Sequence, residues 1–172
     1  WAKAREQARA QALGDALGDA LERGPPEERR AALAAIPADG QQTALLHLVA
    51  ASGPAEDKAA TLAELDLVLA DATLSPAWRD LATLRRVLVA GADMALADRR
   101  SALQGIAGAG RPYRTLAEEQ LAYLLVEEGK TEDAIAAMVT LVQDREASGA
   151  LRARVGQMVT ALGGTLPEAS EG

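Results

Sequence analysis

Apolar residues recur along most of the chain at the i, i+3, i+4, i+7 spacing that places them on one face of an α-helix. Leu62, Leu65 and Leu69 form one such stripe, and Val155 and Leu162 belong to another near the C-terminus. Prolines and glycines separate these segments, as is typical of positions where helices begin and end. The pattern predicts nine helices, near residues 2–22, 26–35, 40–52, 55–71, 76–90, 94–106, 112–128, 131–145 and 148–162.

Small polar residues and glycines mark the ends of several predicted helices. A Ser, Thr, Asp or Asn side chain at the N-cap accepts a backbone N–H bond, and Gly is common just past a helix C-terminus. The candidate N-caps are Asp39, Ser75, Thr131 and Ser148. The candidate stops are Gly53, Gly91, Gly129 and Gly163.

Three of these glycines define a repeat. Gly53, Gly91 and Gly129 are spaced 38 residues apart, and each lies between two helical segments. A fixed period of this size, with two helices in it, is typical of a helical-repeat array in which each pair stacks on its neighbours. We therefore expect one domain: an atypical N-terminal helix pair in 1–38, three helix pairs in 39–147, and a C-terminal capping helix and tail in 148–172.

The composition agrees with an all-α fold and removes several function classes. The 172 residues are 49% hydrophobic but only 2% aromatic, and the strong helix formers Ala and Leu dominate. With no cysteine and one histidine, the chain has no thiolate or multi-histidine metal site, and we expect no metal and no cofactor. No catalytic constellation can be assembled, so we expect no enzyme. The net charge of −7 disfavours nucleic acid and anionic lipid as partners.

The third helix pair contains a more specific motif. Residues 121–135 read LAYLLVEEGKTEDAI, with a small residue in the first helix (Ala122), a turn glycine (Gly129) and an alanine after the acidic turn (Ala134). This resembles the tetratricopeptide (TPR) pattern. The resemblance implies a TPR-like right-handed superhelix of antiparallel helix pairs, built here from about nine helices. In such a superhelix the first helix of each pair lines a concave face that binds peptides or partners.

The layout of the whole chain also resembles the YfgM-like ancillary subunits of the SecYEG translocon. The similar features are the helical N-terminus 1–23, the run Arg111-Pro112-Tyr113-Arg114 that opens a repeat, and the closing Ala161-Leu162-Gly163-Gly164. This resemblance implies a membrane anchor upstream and a location on the periplasmic side of the bacterial inner membrane. It also implies translocon subunits and periplasmic chaperones as partners.

The 38-residue alignment places candidate partner-binding residues on the concave face. One position holds His47, Arg85 and Tyr123, the next holds Leu81 and Glu119, and a third holds Trp78. Trp, Tyr and Arg are the residue types most common at interface hot spots. Three alternatives stay open at this point: Trp78 packs between repeats, Tyr123 packs between helices, and His47 is a half-buried histidine with a satisfied side chain.

The expected function is therefore a non-enzymatic protein–protein interaction module that binds a protein partner or an unfolded client. The alternative is a structural scaffold that only self-associates, in the envelope or the cytoplasm. The Ala-rich, charged segment 1–22 bears on this alternative, since a helix of that length either projects from the array or pairs with another chain as a homo-oligomer.

Overall fold

The computed structural model describes residues 1–53 and 57–168, and in these ranges it contains nine α-helices, one 3-10 turn and no strand. The predictions of an all-α class and nine helices are confirmed. The described part of the chain has the helical-repeat character that the glycine spacing predicts. The helices are α1 (Ala2–Leu21), α2 (Pro26–Ala34), α3 (Gln41–Ser52), α4 (Lys58–Ala70), α5 (Pro76–Ala90), α6 (Leu96–Ile106), α7 (Arg114–Glu127), α8 (Thr131–Val142) and α9 (Gly149–Ala161). The predicted first turn of the fourth helix, at 55–56, and the end of the tail, at 169–172, lie outside the described residues.

Two side-chain caps fix helix N-termini. The Ser148 hydroxyl accepts the backbone N–H of Leu151 at 3.1 Å, which confirms Ser148 as the N-cap of α9. The Asp57 carboxylate accepts the N–H of Ala60 at 3.0 Å and caps α4, a role that the sequence analysis missed. Both satisfy an N–H group that has no partner inside its helix.

Two other predicted caps are wrong. The N-cap of α3 is Gly40 rather than Asp39, and its φ of 52° lies in a region that favours glycine. The N-cap of α8 is Lys130, so that Thr131 is already the first helical residue. Neither cap makes a side-chain hydrogen bond, because glycine has no side chain and the lysine ammonium group has no acceptor for a backbone N–H.

The predicted stops all lie within two residues of a helix end. Gly91, Gly129 and Gly163 have φ values of 52°, 76° and 84°, and their lack of a Cβ allows this left-handed turn. Gly53 follows α3 in an extended conformation. At Gly91 and Gly129, two of the three repeat glycines, the helix end therefore has a local backbone cause.

Inter-residue contacts divide the chain into two compact units, Trp1–Arg85 and Arg86–Gly172. In the first unit α1 packs on α2, α2 on α3 and α3 on α4. Its main core comprises Ala44, Leu48, Ala51, Leu65, Val68, Leu74 and Ala82. A smaller cluster under α1 and α2 comprises Ala20, Leu33 and Leu46.

In the second unit α6 packs on α7, α7 on α8 and α8 on α9. Its core comprises Ala122, Met138, Leu141, Ala147, Leu151, Val155 and Val159. Ala122 and Ala134, the two small residues of the TPR-like motif, are 1% and 0% exposed. Both small side chains are therefore buried in the second unit.

Helix α1 differs from the others in its exposure. Every residue from Trp1 to Ala12 is exposed, and Ala20 is the one buried residue of the helix. Leu13 and Leu17 attach only its C-terminal half to the smaller cluster. None of the helices in the described ranges is both long and apolar enough to cross a membrane.

Candidate functional site

Trp78 lies in the first turn of α5 and is the most accessible of the predicted binding residues. Its side chain is 42% exposed although it is a large aromatic. It lines an apolar groove in the first unit with a volume of about 210 Å³. The other lining residues are Gln42, Ala44, Leu45, Leu48 and Leu74. A partly exposed indole beside an open apolar groove is the arrangement expected of a hot-spot anchor.

Leu81 and Arg85 lie on the same helix but have structural contacts. Leu81 is half-buried and packs against the main core of the first unit. The Arg85 guanidinium donates from Nε to the carbonyl of Ala51 at 3.0 Å and from Nη2 to the carbonyl of Gly53. It therefore satisfies carbonyls at the C-terminus of α3, where a positive charge also interacts favourably with the helix dipole.

His47 is half-buried and paired. Its Nδ1 contacts the Glu64 carboxylate of α4, which ties α3 to α4. Both residues line a second cavity of the first unit, with a volume of about 180 Å³, on whose wall Arg30 also lies. The structure therefore agrees with the half-buried, satisfied histidine that the sequence analysis left open.

Glu119 and Tyr123 belong to one buried network in the second unit. The sequence places Glu119 at an exposed position, whereas the structure leaves it only 2% exposed. Two guanidinium nitrogens of Arg154 on α9 donate hydrogen bonds to it, Nε to Oε1 at 2.5 Å and Nη2 to Oε2 at 2.7 Å. The Tyr123 hydroxyl donates to Oε1 at 2.7 Å. This buried carboxylate therefore accepts three hydrogen bonds within the second unit and is not on the surface to meet a partner.

The network also changes the acidity of the tyrosine. Burial raises the pKa of Tyr123 to about 12, and the adjacent Glu119 carboxylate acts in the same direction because it accepts the phenol hydrogen bond and carries a negative charge. Tyr123 itself packs against the core of the second unit. The alternative that Tyr123 is an inter-helix packing residue therefore has structural support.

Two further arginines hold the second unit together, and the sequence analysis missed both. Arg99 is only 8% exposed, and its two terminal nitrogens bind both oxygens of Glu127 at 2.8 and 2.7 Å. This hydrogen bonding lowers the pKa of Glu127 below its ordinary value. The one signal in the sequence is that Arg99 falls on the same helical face as Leu103 and Ile106, which are buried.

Arg114 is the second of these arginines, and it bridges three acidic groups. It donates to Glu118 at 2.9 Å, to Asp144 at 3.1 Å and to Glu146 at 3.0 Å. The pKa of Asp144 is lowered, first by the backbone N–H of Glu146 and then by Arg114. The arrangement fixes the start of α7 to the turn between α8 and α9.

The chemistry of the described ranges is that of packing and ion pairing. No group of three or more His, Asp or Glu side chains among the described residues could hold a metal ion. The carboxylates of the second unit described above are bound by arginines. Of the six residues predicted to bind a partner, Trp78 combines exposure with an apolar groove, while Glu119, Tyr123 and Arg85 serve the fold.

Comparison with known proteins does not assign the chain to a family. No family model matches it, and neither the curated proteins nor the solved structures contain a match.

Proposed function

We propose that this chain is a non-enzymatic protein–protein interaction module that captures an apolar segment of a partner or of an unfolded client. The observation that carries the proposal is the Trp78 groove in the first unit. Four of its six lining residues are aliphatic, one is Gln42, and the sixth is the Trp78 indole, in a residue that is 42% exposed. An indole in this setting gains contact area and excludes water when an aliphatic side chain enters the groove.

The TPR-like pattern supports the same class of function. In our proposal the helix pairs form a TPR-like repeat array, and α3 and α5 supply the binding surface of the first unit. The resemblance to the YfgM-like proteins adds the setting: the periplasmic side of the bacterial inner membrane, with translocon subunits and periplasmic chaperones as partners.

The test uses the fact that the chain has two tryptophans. Wild type, Trp78→Ala and the matched control Trp1→Ala are titrated with a fluorescently labelled, permanently unfolded model client, reduced and carboxymethylated α-lactalbumin. We expect Trp78→Ala to raise Kd by about tenfold or more, because losing a hot-spot tryptophan costs at least about 1–2 kcal/mol. We expect Trp1→Ala, which removes an indole outside the groove, to bind as wild type does.

A second arm addresses the partners. The three proteins are used as baits in detergent extracts of bacterial membranes, with immunoblots for translocon subunits and periplasmic chaperones. Retention by wild type and Trp1→Ala, with loss by a folded Trp78→Ala, is the expected result. Equal binding by all three proteins in both arms would show that the binding site lies outside the groove. Absence of binding in both arms would favour a self-associating scaffold.

A further inference from the structure

Exposed residues along the length of α1 carry an ordered arrangement of charge. Arg5 and Arg9 lie in its N-terminal half, and Asp15 and Asp19 lie in its C-terminal half. None of the four forms an ion pair or side-chain hydrogen bond with any other described residue. This contrasts with Arg99, Arg114 and Arg154, whose guanidiniums are all paired with carboxylates.

The four charges are placed symmetrically about Ala12. Arg9 and Asp15 each lie three residues from Ala12, and Arg5 and Asp19 each lie seven residues from it. Spacings of three, four and seven residues keep side chains on one face of an α-helix. We call the face formed by Arg5, Arg9, Ala12, Asp15 and Asp19 the α1 charged face.

We propose that the α1 charged face pairs with the same face of a second copy of this chain, with the two helices antiparallel and a two-fold axis beside Ala12. In that pairing Arg9 of each copy opposes Asp15 of the other, and Arg5 opposes Asp19. A two-fold interface requires this kind of self-complementarity, in which residue i contacts residue j and residue j contacts residue i. In a parallel, in-register pair each charged residue would face the same residue of the other copy, and like charges would repel. The charge pattern therefore favours the antiparallel arrangement.

A groove beside α1 provides room for the second helix. It has a volume of about 460 Å³, and Ala12, the centre of the charge pattern, is one of its lining residues. On the α1 side its wall includes Arg9, Ala12 and Ala16. The facing wall comprises the apolar residues Ile36, Pro37 and Ala38 together with Asp39 and Gln42. The second α1 would cover the three apolar residues while its charges reach those of the first. Gln42 lines both this groove and the Trp78 groove, and the other lining residues of the two grooves differ. The pairing therefore adds an assembly state to the proposed binding function.

Sedimentation velocity over a concentration series tests the pairing. We expect wild type to form a dimer that weakens with added salt, because the facing charges are exposed to solvent. Two charge-reversed variants, Asp15→Arg/Asp19→Arg and Arg5→Asp/Arg9→Asp, each place like charges opposite one another in a self-pair. We expect each variant alone to raise the dimer Kd by about 100-fold or more.

Mixing the two charge-reversed variants is the decisive step. One chain then carries four basic residues on the face and the other carries four acidic residues, so an equimolar mixture should form a heterodimer. The matched control is Lys3→Glu/Glu6→Lys, which exchanges charges on another face of α1 and should dimerise as wild type does. Circular dichroism of each variant confirms that the helices are retained. A monomeric wild type, reversed variants that still self-associate, or a mixture that stays monomeric would each overturn the proposal.

Cross-linking establishes the orientation. The chain has no cysteine, so a single introduced thiol gives an unambiguous product. Ala8 and Ala16 each lie four residues from Ala12. With a short bismaleimide, Ala8→Cys mixed with Ala16→Cys should cross-link to each other in preference to themselves. Preferential linkage of Ala8→Cys to its own copy would show a parallel pair and would contradict the proposal.

Discussion

The buried Glu119 carboxylate allows a quantitative test of how the second unit is held together. In Arg154→Met the guanidinium that neutralises Glu119 is lost, while the aliphatic part of the side chain is largely kept. Glu119, which is 2% exposed in the wild-type fold, then has Tyr123 as its one remaining side-chain donor among the described residues. Because an uncompensated buried charge is strongly unfavourable, the folded state should be destabilised.

The size of the effect follows from the geometry of the pair. Removing one partner from a fully buried ion pair costs about 3–5 kcal/mol. The Arg154 side chain is 46% exposed, so water screens the pair and reaches the space that the guanidinium leaves. We therefore expect a loss of about 2 kcal/mol in the free energy of unfolding. With a urea m-value of about 2 kcal/mol/M, the unfolding midpoint should fall by about 1 M.

The assay is urea unfolding followed by helical circular dichroism. Arg152→Met is the matched control, because Arg152 is exposed, lies two residues earlier on α9 and has a side chain that forms no hydrogen bond or ion pair with the described residues. It should change stability by less than about 0.5 kcal/mol. The double variant Glu119→Leu/Arg154→Met should be more stable than Arg154→Met, since it also removes the stranded charge. If Arg154→Met and Arg152→Met unfold at the same urea concentration as wild type, the argument fails.

Three further outcomes are expected. In thermal unfolding, Gly164→Ala should lower the free energy of unfolding by about 1–3 kcal/mol, because its Cβ would lie 2.8 Å from Cγ2 of Ile135. Gly105→Ala lies inside α6, where a Cβ would meet no neighbouring group within 4 Å, and it should leave the stability unchanged or raise it. Ser148→Ala should cost about 1 kcal/mol in chemical unfolding through loss of the α9 cap, and an equally stable variant would contradict the cap assignment. The pKa of Tyr123 is raised in the folded state from its ordinary value of 10.0 to about 12. The contribution of Tyr123 to stability is therefore complete below pH 10.0 and is lost as the pH rises through about 12. Absorbance at the tyrosinate band should show an ionisation near pH 12 that Tyr123→Phe abolishes; persistence of that step in the variant would refute the assignment.

The helices could be predicted from the sequence because their causes are local. Pro26 and Pro76 occupy first helical positions, and Gly91, Gly129 and Gly163 provide the left-handed turns that follow helices. These signals operate within a few residues, so they are visible without knowledge of packing. Cap identity depends on where the chain enters each helix, which explains why Ser148 was predicted correctly while Asp39 and Thr131 were not.

The site was harder to predict because burial depends on residues far apart in sequence. Glu119 and Arg154 are 35 residues apart, and Arg99 and Glu127 are 28 residues apart. A repeat alignment predicts which face of a helix a residue occupies. It does not predict whether an arginine from another helix covers that face and binds the residue. Trp78 was placed on the predicted concave face by the same register, and its residue type, which is common at interface hot spots, singled it out.

The exposure of the first half of α1 has a consequence for local stability. Its first twelve residues have little tertiary packing, and a helix shorter than about 12–15 residues is marginal in water on its own propensity. Its backbone amides should therefore exchange with solvent deuterium far faster than those of α7 or α9, and trypsin should cut first after Lys3, Arg5 and Arg9. Any molecule that covers this helix must supply the free energy that orders it. The protection of these amides against exchange therefore measures directly the fraction of molecules in which α1 is covered at a given protein concentration.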